Sequence, residues 1–151
     1  MEVKEIMRIL EEMKVAVFAT VDKDGLPHAR HIHLGVANEQ GVFFMTGPNT
    51  QFHEQMMDTG QVAVTAMAQE DYLIQVIRIE GRVRPVGPDL LHALLKDNPY
   101  VSYVYPTAQE QQDVQVFQLY EGKGFYHSLT QGHKYVFSIG DKQSPTSRTI
   151  V

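Results

Sequence analysis

Phe18-Ala19-Thr20-Val21-Asp22-Lys23-Asp24-Gly25-Leu26-Pro27-His28-Ala29-Arg30-His31-Ile32-His33 is the stretch on which the fold turns. Val15 to Val21 is rich in β-branched and aromatic residues and predicts a strand. Asp22-Lys23-Asp24-Gly25 ends it with residues that tolerate the positive φ of a tight hairpin. The return strand is predicted from about His28 to Val36. A second polar turn, Asn38-Glu39-Gln40-Gly41, leads into Val42-Phe43-Phe44-Met45-Thr46. Three strands joined by short turns predict a meander.

Upstream, Val3, Ile6, Met7, Leu10 and Met13 recur at helical spacing and predict an amphipathic helix over residues 3–13. Downstream, Gly47-Pro48-Asn49 breaks the third strand, and Thr50 can cap a helix of roughly residues 51–58. Gln61 to Ala68 and Leu73 to Val86 read as strands, with Gly81 marking a bulge or a close backbone approach. Pro88-Asp89 opens a helix through about Lys96, stopped by Asn98-Pro99. Residues 100–113 fit no single pattern. A last hairpin is expected from Val114 to Tyr120 and Phe125 to Leu129, turning at Glu121-Gly122-Lys123-Gly124.

Six or seven strands in short hairpins exclude a doubly wound βαβ fold and point to a small antiparallel barrel with peripheral helices, since closure removes exposed edges. One domain is expected over residues 1–142, with the polar stretch 143–151 as a loose tail.

Composition narrows the function. The 151 residues hold 13 Lys plus Arg against 18 Asp plus Glu, a formal charge of −5, which argues against binding nucleic acid by neutralising phosphates. Cysteine is absent, which removes disulfides, thiolate metal sites and cysteine nucleophiles. The N-terminus carries no apolar core of signal-peptide length, and no run approaches about 18 apolar residues. A cytoplasmic protein without a membrane partner is expected.

Two constellations carry candidate chemistry. In the second strand His28, Arg30 and Ile32 share one face, and His31 and His33 the other. His-x-His alone is a weak metal signal, and no nearby third ligand supports it. Arg30 wants an anionic partner, either a phosphate or a carboxylate on the neighbouring strand. Thr46-Gly47-Pro48-Asn49-Thr50-Gln51 runs from a strand end into a helix N-terminus, where free N–H groups and the helix dipole favour an anion. Plain capping by Thr50 explains the same residues. No P-loop, dinucleotide glycine pattern or nucleophile elbow occurs. Glu11-Glu12 reads as a solvated helix face. The tyrosines of Tyr100-Val101-Ser102-Tyr103-Val104-Tyr105 suit packing at a lid or subunit contact better than stacking on a planar ligand.

The order of these motifs resembles the pyridoxamine-phosphate-oxidase-like, FMN-binding split-barrel family over roughly residues 3–129. The resemblance rests on the quoted hairpin, Val42 to Gly47, Phe52-His53-Glu54-Gln55-Met56-Met57, Ile77-Arg78-Ile79-Glu80-Gly81-Arg82-Val83 and Val116-Phe117-Gln118-Leu119. It implies a homodimer of split barrels with FMN at the subunit interface. It places Arg30, His31 and Ile32 along the flavin, with Arg30 on its phosphate. Thr46, Gly47, Thr50 and Gln51 would surround that phosphate, and Gln75 would lie near the ring. The family's basic pair after the helix-opening hydroxyl is here Gln51 and Phe52, and its lysine five residues beyond the arginine is Gly35. His53, when protonated, is the candidate replacement. The tryptophan that serves pyridoxal substrates has no counterpart, so oxidation of a vitamin phosphate is not expected. Two readings follow: an FMN-dependent oxidoreductase acting on an unknown small molecule, or a non-enzymatic split-barrel protein holding flavin, haem or another planar ligand.

Overall fold

The computed structural model describes residues 1–96, 101–140 and 146–147. Helix α1 (Val3–Met13) is followed by β1 (Val15–Val21), β2 (Pro27–His33), β3 (Val36–Asn38) and β4 (Gly41–Thr46). Then come α2 (Gln51–Thr59), β5 (Gln61–Glu70) and β6 (Leu73–Val86). A 3₁₀ turn (Pro88–Leu90) leads to α3 (Leu91–Lys96), α4 (Val101–Val104) and α5 (Ala108–Asp113). Strands β7 (Gln115–Ser128), β8 (His133–Ile139) and β9 (Thr146–Ser147) complete it.

The β1–β2 hairpin forms as its residues dictate. The Asp22 carboxylate accepts the N–H groups of Asp24 and Leu26 at 2.9 and 3.0 Å, and Gly25 takes φ +80°. The predicted return strand, however, stops at His33. Leu34 N–H donates to Lys14 O and Gly35 N–H to Phe43 O, so two residues carry the chain from the edge of β1 to the edge of β4. A Cβ at Gly35 would sit 2.3 Å from a Leu94 methyl and 2.8 Å from Phe43 O, so only glycine turns this corner. The expected meander is therefore replaced by a crossover. β2 pairs with β1, whereas β3 pairs with β4.

Seven strands run in the order β2-β1-β5-β6-β7-β4-β3. Its two ends, β2 and β3, are joined by only those two residues, so the sheet must curl upon itself. The result is the antiparallel barrel expected from the turns, in the split form that the family resemblance implies. The long β7 makes the split: its first half pairs with β4 and its second half with β8, while β6 runs along its other edge.

The expected hairpin at residues 121–124 is absent, because β7 passes straight through it. Gly122 lies opposite Gly81 of β6, and a Cβ at Gly81 would stand 2.0 Å from Glu121 O. Gly124 lies under the Phe137 ring. These glycines admit close neighbours rather than a turn, and the register of β6 on β7 shifts just beyond, between Arg82 and Val83. The true reversal comes at Gly132, with φ +74°, and leads into β8, a strand the sequence reading left unassigned. The ambiguous 100–113 stretch supplies α4 and α5. The Asn98-Pro99 stop lies outside the described residues, as does most of the expected tail; Thr146–Ser147 pair with β8.

Inside the barrel Phe18 and Phe44 meet at 4.6 Å between ring centroids, and Phe44 stacks on Phe117 at 6.1 Å. Helix α1 covers this core with Ile6, Met7 and Leu10, each fully buried, and such burial is worth about 1.5–3 kcal/mol per side chain. Its Glu11 is more than a solvated charge: the carboxylate accepts the Ala37 N–H at 3.0 Å and ties α1 to β3.

Candidate functional site

On β2, alternation turns His28, Arg30 and Ile32 inward and leaves Ala29 and His31 exposed. Arg30 is half-buried and enters a small polar cluster. Its Nη1 donates to Thr20 Oγ1 at 2.6 Å, with Phe18 O and His28 O further off at 3.3 and 3.4 Å. Its Nη2 donates to Gln55 Oε1 at 3.0 Å. Thr20 in turn donates its hydroxyl to the same Gln55 oxygen at 2.5 Å. The guanidinium carbon stands 4.6 Å from the centre of the Phe52 ring.

Every one of these acceptors is neutral. Among the described residues no carboxylate lies within ion-pair distance of Arg30, which decides against the neighbouring-strand carboxylate. Burial presses its pKa down from the ordinary value. Arginine stays protonated through such a shift, so the site holds a partly desolvated cation without a counterion.

Helix α2, which sets Phe52 and Gln55 against Arg30, opens at the second constellation. Thr50 accepts the His53 N–H at 3.0 Å and donates to Gly47 O at 3.2 Å, which is the capping arrangement. Its hydroxyl also lies 3.1 Å from that of Thr46, a buried residue. Phe52 and Gln55, on the buried stripe of the same helix, are the residues that touch Arg30. Gln51 is exposed at the first helical position, and the His53 ring meets Phe117 edge-on at 5.3 Å. Outside α2 a hollow of about 470 Å³ is lined by Pro48, Asn49, Thr50, His53, Glu54, Met57 and Asp58. Glu54 and Asp58 put negative charge on the side of this hollow away from Thr50, and Lys23 approaches Glu54 at 3.8 Å.

The other candidate residues stand apart. His31 points to solvent beside β1, and Ile32 packs on the core. Gln75 donates to the Tyr126 hydroxyl at 2.9 Å. It lies four residues along β6 from Ile79, the position in line with Arg30 across the sheet, or about 13 Å at strand rise. Tyr103 is exposed, Tyr105 is half-buried, and Tyr100 lies outside the described residues. Among the described residues no three His, Asp or Glu side chains gather to hold a metal ion. His28, read only as a face-mate of Arg30, pairs with Asp22 at 2.7 Å and holds that carboxyl below its usual range.

Sequence reasoning missed Thr20 and Gln55, yet both leave a signal. Thr20 is the polar residue on the inward alternation Ala16, Phe18, Thr20, and Gln55 is the polar residue on the buried stripe Phe52, Gln55, Met56. Buried polar groups need partners, and here each finds the other and Arg30.

The sheet order and the arginine poised beside a capped helix define an antiparallel split-barrel protein with a candidate anion site. The family model described as pyridoxamine 5'-phosphate oxidase matches residues 3–124. The chain belongs to that family.

A pyridoxine/pyridoxamine 5'-phosphate oxidase of Mannheimia succiniciproducens is 30% identical over 96 residues, which is 64% of this chain and 44% of that protein. The corresponding protein of Chromohalobacter salexigens is 32% identical over 59% of this chain and 40% of its own length. The chain thus matches less than half the length of these relatives.

Among solved structures, a NimC/NimA family protein of Clostridium acetobutylicum superposes with a TM-score of 0.74 at 20% identity, covering 91% of this chain and 92% of that one. A pyridoxamine 5'-phosphate oxidase-related, FMN-binding protein of Nostoc punctiforme gives 0.69 at 14% identity, with 99% and 93% covered. A haem-binding protein of Mycobacterium smegmatis gives 0.65 at 14% identity, with 97% and 57% covered. At these identities the likeness is one of fold. Among the described residues no helix is long and apolar enough to cross a membrane.

Proposed function

We propose that this protein binds FMN and acts as an oxidoreductase on a small molecule. The observation that carries the reading is Arg30, a half-buried cation with neutral acceptors on one edge and no counterion among the described residues. A phosphate dianion is the natural complement of such a group, and charge-assisted bonds are roughly twice as strong as neutral ones. Thr46, at the end of β4, and Thr50, the N-cap of α2, bring two hydroxyls together at the helix N-terminus, whose dipole favours an anion. When bound, the flavin would supply the redox chemistry, as cofactors do for reactions that side chains cannot perform. The chain's own part is to hold and orient it, which agrees with the lack of an acid–base cluster among the described residues. Membership of the family and the FMN-binding relative support this reading.

Titration by flavin fluorescence quenching tests it. FMN is expected to bind at up to one per subunit, more tightly than FAD and more tightly than riboflavin. Absence of saturable binding at about 100 μM FMN, weaker than roughly −5.5 kcal/mol, overturns the proposal. Haem is the second reading, favoured by the haem-binding neighbour and by the exposed His31 on β2. A Soret band in place of flavin bands in the purified protein selects it.

A further inference from the structure

The geometry around Arg30 points to Thr20 and Gln55 as positioning residues: together they hold one edge of the guanidinium so that its other edge faces an incoming oxyanion. This rests on the flavin reading above and specifies how its phosphate is gripped.

A guanidinium has five N–H donors in a rigid planar fork. Nη1 and Nη2 share the end of the fork, and Nη2 and Nε share its side. The end is occupied: Nη1 on the Thr20 hydroxyl and Nη2 on the Gln55 oxygen. The side is not. Nε donates to no protein acceptor among the described residues, and one Nη2 hydrogen remains. Nε is not sealed from solvent. Two parallel donors at this spacing suit two oxygens of one phosphate or carboxylate.

Thr20 and Gln55 are suited to the task because they are buried, neutral and bonded to each other. They are 3% and 6% exposed, so neither can swing away to follow the arginine. The Thr20 hydroxyl donates to Gln55 and accepts from Arg30, which fixes the direction of both bonds. The Phe52 ring lies against the guanidinium and limits its rotation. Carboxylates in the same places would hold Arg30 more firmly but would cancel the charge that an anion needs. A neutral clamp orients without neutralising. A pre-oriented fork also gives up less rotamer freedom on binding.

The test compares FMN and riboflavin, which share the ring and differ in the phosphate, across variants of the full chain. Arg30→Ala is the reference. It is expected to weaken FMN roughly ten- to a hundredfold and to leave riboflavin unchanged. Gln55→Glu turns the clamp into a counterion, and Thr20→Val removes its hydroxyl at constant shape. Each is expected to weaken FMN about tenfold or more, with riboflavin within about twofold and the melting temperature of Gln55→Glu held or raised. Thr20→Ser restores the hydroxyl and is expected to restore FMN affinity.

Selective FMN loss in Arg30→Ala but in neither clamp variant overturns the positioning role and leaves the phosphate reading standing. Equal loss of FMN and riboflavin in the clamp variants makes Thr20 and Gln55 merely structural and likewise overturns it. An Arg30→Ala protein that binds FMN as well as the parent overturns the phosphate reading itself. If Gln55→Glu fails to fold, the Thr20→Val and Thr20→Ser pair decides alone.

Discussion

His33 ends β2 close to Lys14, at the corner where the chain leaves for β3. Burial lowers its pKa below the ordinary histidine value, and the Lys14 charge lowers it further. The consequence has a definite sign. As pH falls through about 6.5 the unfolded chain takes up the proton first, so folded-state stability is lost from there down to the lowered folded pKa. Asp22 works in a separate window. Its pKa is depressed by the His28 hydrogen bond first and the Leu26 N–H next, so its contribution is present above about 3.9 and lost below that. Melting curves between pH 7.5 and pH 5 are therefore expected to shift downward on acidification, and less so in His33→Gln. Equal slopes in both proteins would remove His33 from the account. At this scale the sequence revealed which residue carries the charge but not what holds it. Arg30 stands out in a strand by its type alone. Thr20 and Gln55 acquire meaning only when β1 and α2 meet, 35 residues apart in the chain.

At the scale of elements the glycines mislead most. Glu121-Gly122-Lys123-Gly124 has the composition of a turn, yet it lies within a strand of 14 residues. What turns the meaning around is Gly81, whose close approach was legible but whose partner was not. Register is a non-local property, and only the pairing Gly81↔Gly122 shows why both positions lack a side chain. β8 is a different case: it pairs with β7 in a local hairpin across Gly132, Ser128 against His133, and the turn composition at residues 121–124 drew the reversal too early. A pair of substitutions separates contact from conformation. Gly81→Ala would drive a Cβ to 2.0 Å from a backbone oxygen of Glu121, and backbone cannot move aside without parting β6 from β7. It is expected to cost about 1–3 kcal/mol. Gly87 has φ −66° and nothing within 4 Å of a built Cβ, so Gly87→Ala is expected to stabilise by about 0.4–1 kcal/mol through the unfolded chain. Urea melts of both variants read the two signs directly, and a neutral Gly81→Ala would show that the crossing is looser than its distances state.

For the whole molecule the open question is what covers the outward face of β1, β5 and β6. Val15, Val21 and Met67 are 42%, 43% and 63% exposed there, and Met67 lies in register with Val76. In the same layer Arg78 stacks on Phe125 at 5.3 Å, and its Nε is buried without an acceptor among the described residues. A buried donor left unpaired costs about 1–3 kcal/mol, and an apolar face beside it is costly to leave in water. A second copy of the chain would relieve both by covering the apolar side chains and offering an acceptor to Arg78. A two-fold interface of this kind is self-complementary, as most homodimers are. Sedimentation at micromolar protein is expected to give a species of about twice 17.1 kDa. Met67→Glu places a charge in the middle of the face and is expected to shift the equilibrium toward monomer. FMN binding separates the two ways the site could be built. If it falls in step with the dimer fraction, the ligand lies between subunits. If the monomeric variant binds FMN as well as the parent does, Arg30, Thr46 and Thr50 form a complete site within one barrel, and the dimer serves stability alone. A wild-type chain sedimenting as a 17.1 kDa monomer would leave the Arg78 donor to water and end the case for an interface on this face.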